Sequence, residues 1–220
     1  MGNVVITGAT GGIGFEFCRH YLQQGHRVIA VCRKPTDELK ALGPEIVDGV
    51  DLTTEDGIAK VKKACDGTKI DLLINNAGMM QNEILGDIDP ESLRVQFELN
   101  AMAPLRLTEI LLPQLQDGSK VAMITSRMGS IADNTSGGRY GYRASKAALN
   151  MLSVSLAHDI RDRNIWVGIL HPGFVQTKMT NFNGQLTPEQ SVQGMTKIID
   201  QAKVQESGQF WHSNGETLPW

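Results

Sequence analysis

Tyr142 and Lys146 stand four residues apart in the stretch Tyr142-Arg143-Ala144-Ser145-Lys146, and on a helix that spacing puts both side chains on one face, a turn apart. Such a pair can move a proton. A phenol with pKa ~10 and an ammonium with pKa ~10.4 are each poorly matched to neutral pH when they act alone. A neighbouring positive charge favours tyrosinate. Each unit of depression corresponds to ~1.36 kcal/mol, so roughly two or three units is within reach of two nearby cations. Alone, the spacing is also common among surface residues. A second cluster, Thr7-Gly8-Ala9-Thr10-Gly11-Gly12-Ile13-Gly14, could take a phosphate. A pyrophosphate must reach backbone N–H groups at a helix N-terminus, and glycine keeps side chains out of its path where the chain turns tightly.

Those residues need a scaffold, and the hydrophobic pattern implies one. Val4-Val5-Ile6 is a short apolar run ended by Thr7-Gly8, and Ile13 to Gln24 reads as a helix stopped by Gly25. Strands are expected at Arg27 to Cys32, Glu45 to Val50, Ile70 to Asn75, Val121 to Ile124, Ile165 to Leu170 and Gln209 to His212. Between them lie a charged helical stretch from Thr36, a helix near Thr54 to Cys65, and one long helix ending before Asp117-Gly118. Helices near Tyr140 to Arg161 and Pro188 to Ala202 follow. Seven strands and about six helices alternate. Strands that are apolar throughout imply a mainly parallel sheet with helices on both faces, a single doubly wound α/β Rossmann domain whose ligands gather beyond the carboxyl ends of the strands.

Composition narrows the classes of function. The 220 residues are 41% hydrophobic and 20% charged with a net charge of -3, and no Lys or Arg run forms a phosphate-binding stripe, so nucleic acid is not an expected partner. No apolar stretch approaches the ~18 residues of a membrane span, and the N-terminus lacks signal-peptide features, so a cytoplasmic protein is expected. Cys18, Cys32 and Cys65 lack a C-x-x-C pattern and read as reduced, buried thiols. The five histidines show no metal-ligand pairing, and no metal is expected.

The glycine turn resembles the T-G-x-x-x-G-x-G of the short-chain dehydrogenase/reductase family, and Tyr142 to Lys146 its Y-x-x-x-K. Asp51-Leu52, Asn75-Asn76-Ala77-Gly78 and Pro172-Gly173-Phe174-Val175-Gln176-Thr177 resemble further family landmarks, so the likeness runs along essentially the whole chain. It implies that Gly8, Thr10, Gly12, Ile13 and Gly14 cradle a dinucleotide. Asp51 would bond the adenine ring with Leu52 beside it. Asn76, Ala77 and Gly78 would steady the sheet, and Pro172, Gly173, Val175 and Thr177 would meet the nicotinamide. Ser126 aligns with the family's catalytic serine, with Thr125 and Ser130 as alternatives, and the loop from Ser126 to Tyr142 carries a short insertion. Asn100 matches the asparagine that completes a tetrad with Ser126, Tyr142 and Lys146 by kinking a helix.

Cys32-Arg33-Lys34 stands where NAD-preferring members carry an acidic residue, so NADP(H) is the favoured cofactor, with Arg33 as a planar fork for a 2'-phosphate and NAD(H) as the alternative. The segment from Ser126 to Lys146 and the ending Asn214 to Trp220 resemble a subgroup that includes the C-factor and sniffer proteins. The implied activity is reduction of a carbonyl to an alcohol, or its reverse. A signalling protein or an NADP(H) sensor of this fold is the alternative. Met79, Met80, Met128, Phe174 and Met179 fall near the expected mouth and suggest an apolar or aromatic carbonyl compound, ordinary loop packing being the other reading. The segment Lys178 to Leu186 looks too short for a deep lid. The family likeness further implies a homodimer or homotetramer through the helix that carries Tyr142 and the helix before it.

Overall fold

Strands without polar alternation need cover on both sides, and this chain provides it. The computed structural model describes residues 1–220. Strands β1 (Asn3–Thr7), β2 (Arg27–Val31), β3 (Glu45–Val47), β4 (Ile70–Asn75), β5 (Leu115–Ile124), β6 (Trp166–His171) and β7 (Phe210–His212) form one sheet ordered β3-β2-β1-β4-β5-β6-β7. Every neighbouring pair is parallel, so the sheet is wholly parallel where a mainly parallel one was expected. Helices α1 (Gly12–Gln23), α2 (Asp37–Leu42), α3 (Glu55–Ala64), α4 (Pro90–Phe97), α5 (Ala103–Leu111), α6 (Tyr140–Asp159) and α7 (Pro188–Gln201) provide the crossovers. Successive residues of one strand feed opposite faces. Val5, Leu73, Val121 and Val167 join the core under α3, α5 and α6, whereas Val4, Ile6, Ile74 and Ala122 join Phe17, Tyr21, Val192 and Met195 under α1 and α7.

Local chemistry sets most of the helix starts. The hydroxyls of Thr36, Thr54 and Thr187 and the carboxylate of Asp89 accept backbone N–H groups at the first turns of α2, α3, α7 and α4. Cys18, Cys32 and Cys65 are free and buried, and burial raises the thiols of Cys18 to about 12 and Cys65 to about 11, which keeps them inert at neutral pH. No helix is long and apolar enough to cross a membrane.

Two expectations need correction. The long helix after β4 is interrupted by a π turn, Glu98–Met102, which divides it into α4 and α5 and makes seven α-helices. Its last residue is Leu111, and Asp117-Gly118 belongs to β5 instead of ending the helix. Gly118 has φ +81°, a left-handed conformation that bulges the strand. The register with β4 accordingly jumps, from Ile70 opposite Leu115 to Leu72 opposite Lys120.

The order of the strands reverses at β1, since β2 and β3 lie to one side of it and β4 to β7 to the other. The carboxyl ends of β1 and β4 therefore diverge and leave a crevice. Thr7-Gly8, Asn75-Asn76, Thr125-Ser126 and His171-Pro172 all emerge at that edge of the sheet.

Candidate active site

The glycine turn is built around close backbone approaches. Gly8 and Gly12 have φ of +68° and +52°, and a Cβ on Gly8 would lie 2.9 Å from the Cα of Ala77. A Cβ on Gly14 would lie 2.2 Å from the Gly8 carbonyl oxygen, so no side chain fits there. The far wall comes from β4. Thr7 Oγ1 accepts the N–H groups of Asn76 and Ala77, both at 3.0 Å, and Asn76 Nδ2 donates to the carbonyls of Thr7 and Gly8 at 3.0 and 3.3 Å. Unlike α2, α3, α4 and α7, α1 has no side-chain cap and no acidic residue in its first turn, which leaves its N–H groups free for an anion. Thr10 and Ile13 flank that turn half-buried. Gly14→Ala is expected to weaken NADPH binding by more than about 10-fold, read by fluorescence titration, because the turn must open to admit the methyl group.

Arg33 and Lys34 are exposed just beyond β2. Asp51 Oδ1 accepts from the backbone N–H of Thr53 at 3.0 Å and from its hydroxyl at 2.7 Å. The bonds from Thr53 hold the Asp51 carboxyl below its usual value, and the nearby charge of Arg33 adds to the effect. Asp51 does not cap α3, because Thr54 does, and Leu52 is buried behind it.

Tyr142 and Lys146 lie on α6 with 8% and 4% of their surface exposed. Lys146 Nζ donates to the Ile124 carbonyl at 2.9 Å, at the end of β5, and stands 5.9 Å from the centre of the Tyr142 ring. Burial pushes the ammonium down to about 8. Burial also raises the Tyr142 phenol above 10, opposed in part by hydrogen bonding with the Ser126 side chain and by the charge of Arg139. Among the protein's own groups desolvation outweighs the lowering influences, whereas the expected depression counts a second cation, the oxidised nicotinamide ring.

Three hydroxyls competed for the place beside Tyr142. Thr125 Oγ1 donates its proton to Asn150 Oδ1 at 2.7 Å, and Ser130 Oγ accepts from the Asp133 N–H at 3.1 Å; neither is among the groups that influence the phenol. Ser126 precedes a short 3-10 turn, Arg127–Gly129, accepts from the Met128 N–H at 3.1 Å, and acts on the phenol. Asn100 is fully buried on the π turn, a local widening that turns its amide inward. Its Oδ1 accepts the Met79 N–H at 2.8 Å, and its Nδ2 donates to the Met79 carbonyl at 2.8 Å and to Ser145 Oγ at 3.0 Å. A Cβ on Gly78 would sit 3.1 Å from Asn100 Oδ1 and 3.6 Å from Lys146 Nζ, so Gly78 lies between the two.

Beyond β6, Ser191 and Ser213 both donate to the Pro172 carbonyl, at 2.6 and 3.1 Å, and Gly173 has φ +85°. Val175 is buried, and the backbone of Thr177 bonds to Thr180 Oγ1 at 3.1 Å. A Cβ on Gly12 would lie 3.0 Å from Thr177 Cγ2, which brings this loop against the glycine turn. Residues 178–186 fold back and bond to Phe174 and Gln176 through Gln185 and Leu186, forming a short flap with Phe174 and Met179 exposed. Sequence reasoning missed two supports. Arg143, inside the Y-x-x-x-K spacing, donates to the carbonyls of Gly137 and Gly138 and to Ser136 Oγ, and so staples the inserted loop to α6. Glu83, buried between α4 and α6, carries no motif that would have singled it out.

A parallel sheet with a glycine turn at its switch point and a Tyr–Lys helix across the crevice defines a dinucleotide-dependent oxidoreductase. The family model described as short chain dehydrogenase matches residues 2–186, and the chain belongs to that family. It is 39% identical over 226 residues, covering all of both chains, to the 1-hydroxy-2-glutathionyl-2-methyl-3-butene dehydrogenase of Rhodococcus sp. (strain AD45). It is 45% identical over 159 residues to the C-signal protein of Myxococcus xanthus, covering 71% of this chain and 95% of that one. Among solved structures, the NADPH-bound carbonyl reductase from chicken fatty liver matches with a TM-score of 0.89 at 30% identity, over 99% of this chain and 98% of that one. The carbonyl reductase Sniffer of D. melanogaster matches with a TM-score of 0.92 at 26% identity over all of both chains. The resemblance to the C-factor and sniffer subgroup holds, and the chain is an oxidoreductase of the CH–OH/C=O class.

Proposed function

We propose that this protein is an NADP(H)-dependent carbonyl reductase that uses Ser126, Tyr142, Lys146 and Asn100. The observation that carries the reading is the convergence of these four side chains on one corner of the crevice, next to a helix N-terminus left free for an anion. The residues fit the cofactor: Gly8, Gly12 and Gly14 with the start of α1 would hold the pyrophosphate, and Asp51 and Leu52 the adenine. Pro172, Gly173, Val175 and Thr177 would meet the nicotinamide, and Lys146 its ribose hydroxyls. When bound, the nicotinamide supplies the hydride to the substrate's carbonyl carbon.

The protein's own part is the proton. Ser126 Oγ donates a hydrogen bond to the carbonyl oxygen and holds it beside the Tyr142 hydroxyl. Burial keeps Tyr142 protonated at neutral pH, which suits a proton donor and hence reduction. Asn100, through the Met79 backbone, fixes the wall next to Lys146, where protons return from solvent. The mouth is apolar, with Phe174 and Met179 exposed and Met79, Met80 and Met128 half-buried, which favours aromatic aldehydes, ketones or quinones. The Rhodococcus relative adds hydroxyalkyl glutathione thioethers to the substrates worth testing in the oxidative direction. Exposed Phe97 on α4 and Met151 on α6 favour homo-oligomerisation through these helices.

Following NADPH and NADH absorbance across a panel of such carbonyls tests the reading. NADPH-preferring turnover supports it, and tight NADPH binding with no turnover of any substrate would favour instead a signalling or sensing role, the alternative raised by the C-signal relative. Arg33→Gln is expected to lower the NADPH-over-NADH preference in kcat/KM by roughly 10- to 100-fold, through loss of charge-assisted bonds to the 2'-phosphate. An unchanged preference would remove Arg33 from cofactor choice.

A further inference from the structure

Most helices here are capped by the residue at their own start, but α6, which carries Tyr142, is not. Arg139 occupies that position with φ +51° and offers no side-chain bond to the first turn. The bond comes from elsewhere in the chain. Glu83, in the loop between β4 and α4, is 4% exposed and has no cationic partner, and its Oε2 accepts the Gly141 N–H at 3.1 Å. Its Oε1 accepts the Ser92 hydroxyl at 2.7 Å and also the Gln96 amide Nε2, while its backbone carbonyl accepts the Arg139 N–H at 3.3 Å. Gln96 is held in turn, its Oε1 accepting the Gln81 N–H at 2.9 Å.

The geometry of this network is selective. The Gly141 and Gln96 N–H groups can only donate, and they meet different oxygens of Glu83, so both oxygens accept, the arrangement that a carboxylate satisfies best. Burial pushes the Glu83 carboxyl up, yet the bonds from Ser92, Gly141 and Gln96 more than reverse that and leave it below its usual value, hence ionised at neutral pH. Gly141 leaves no room for slack, because a Cβ there would lie 2.5 Å from Gln96 Nε2 and 3.1 Å from Glu83 Oε1. Ser92 and Gln96 lie on α4, which runs directly into the π turn bearing Asn100. One carboxylate thus ties together the loop after β4, the helix that leads to Asn100, and the turn that begins the Tyr142 helix.

We infer that Glu83 is a positioning residue for the reaction: its ionised carboxylate docks the first turn of α6 onto α4 and so aligns Tyr142 with Ser126 and Asn100. The inference rests on the carbonyl-reductase reading, and its test separates the two. Glu83→Gln keeps the shape but turns one acceptor into a donor facing another donor. Its kcat is expected to fall by roughly 10- to 100-fold, as for a misplaced reacting group, with the NADPH dissociation constant within about 3-fold of wild type. The paired change Glu83→Gln with Gln96→Glu restores donor–acceptor complementarity and is expected to bring kcat back to within about 3-fold of wild type. Retention of full kcat in Glu83→Gln overturns the inference. So does a loss shared equally by cofactor binding and thermal stability that the paired change fails to restore. Should the wild type reduce no carbonyl, the functional reading fails, but Glu83 remains testable with tyrosine labelled with 13C at Cζ. The Tyr142 resonance, assigned with Tyr142→Phe, is expected to move in Glu83→Gln and to return in the paired variant. A resonance that stays in place refutes the role.

Discussion

Tyr142→Phe is expected to lower kcat for carbonyl reduction by roughly 10²- to 10⁴-fold, the range over which a positioned general acid contributes, while NADPH binding changes little. In the mechanism proposed above the phenol donates the proton, whereas its ring supplies packing that phenylalanine would keep: Tyr142 is 8% exposed, and phenylalanine fills the same volume. Thermal stability is therefore expected to stay within about 1 kcal/mol of wild type, since the hydroxyl contributes at most one modest hydrogen bond. The pH dependence adds a sign. Because burial raises the phenol above 10, reduction holds across neutral pH, and the reverse oxidation, which needs the phenolate, gains rate as pH rises. Substantial residual turnover in Tyr142→Phe, with an unaltered pH profile, would move the acid to another group. Stopped-flow measurement of a single hydride transfer separates this from slow product release.

Lys146→Met is expected to divide activity from stability. Burial pushes the Lys146 ammonium from 10.5 down to about 8, so the native state holds this proton less tightly than the unfolded chain does. A folded-state pKa below the unfolded one means that stability rises with pH between the two values and is lost as pH falls back through about 8. Wild type should therefore gain roughly 3 kcal/mol relative to Lys146→Met between pH 7 and pH 10.5, at ~1.36 kcal/mol per unit. Urea unfolding of both proteins at the two pH values measures that double difference, and a difference independent of pH would show that the ammonium is not desolvated. Activity should move the other way. On the proposed role of Lys146 as the ligand of the nicotinamide ribose hydroxyls, its removal is expected to lower kcat/KM for NADPH by more than about 10²-fold. The buried lysine thus destabilises the fold below pH 8, as expected for a group that serves function at a cost to stability.

Much of the site could be read before any coordinates. The glycine turn, the Tyr–Lys spacing and the basic end of β2 depend on local backbone conformation and on spacing along one helix or one turn, which linear order displays directly. The parallel sheet was equally legible, because burial on both faces demands uninterrupted apolar strands such as Val121 to Ile124. The break in the long helix was not. A π turn at Glu98–Met102 has no residue signature of its own, and it persists because Asn100 closes bonds with Met79 and Ser145, which are distant in the chain. The bulge at Gly118 likewise follows from the pairing of β5 with β4, which reaches across the α4 and α5 crossover.

The sequence by itself determined which residue types are present for hydride and proton chemistry, the order of strands and helices, and the family, since each depends on composition, periodicity or short-range spacing. Only the tertiary structure decided which of three hydroxyls acts on Tyr142, which way burial moves the phenol and the ammonium, and that Glu83 caps the helix of a residue 59 positions further along. Desolvation and donor–acceptor complementarity depend on all the neighbours of an atom in space, and in a doubly wound fold those neighbours come from segments that crossovers hold far apart in the chain.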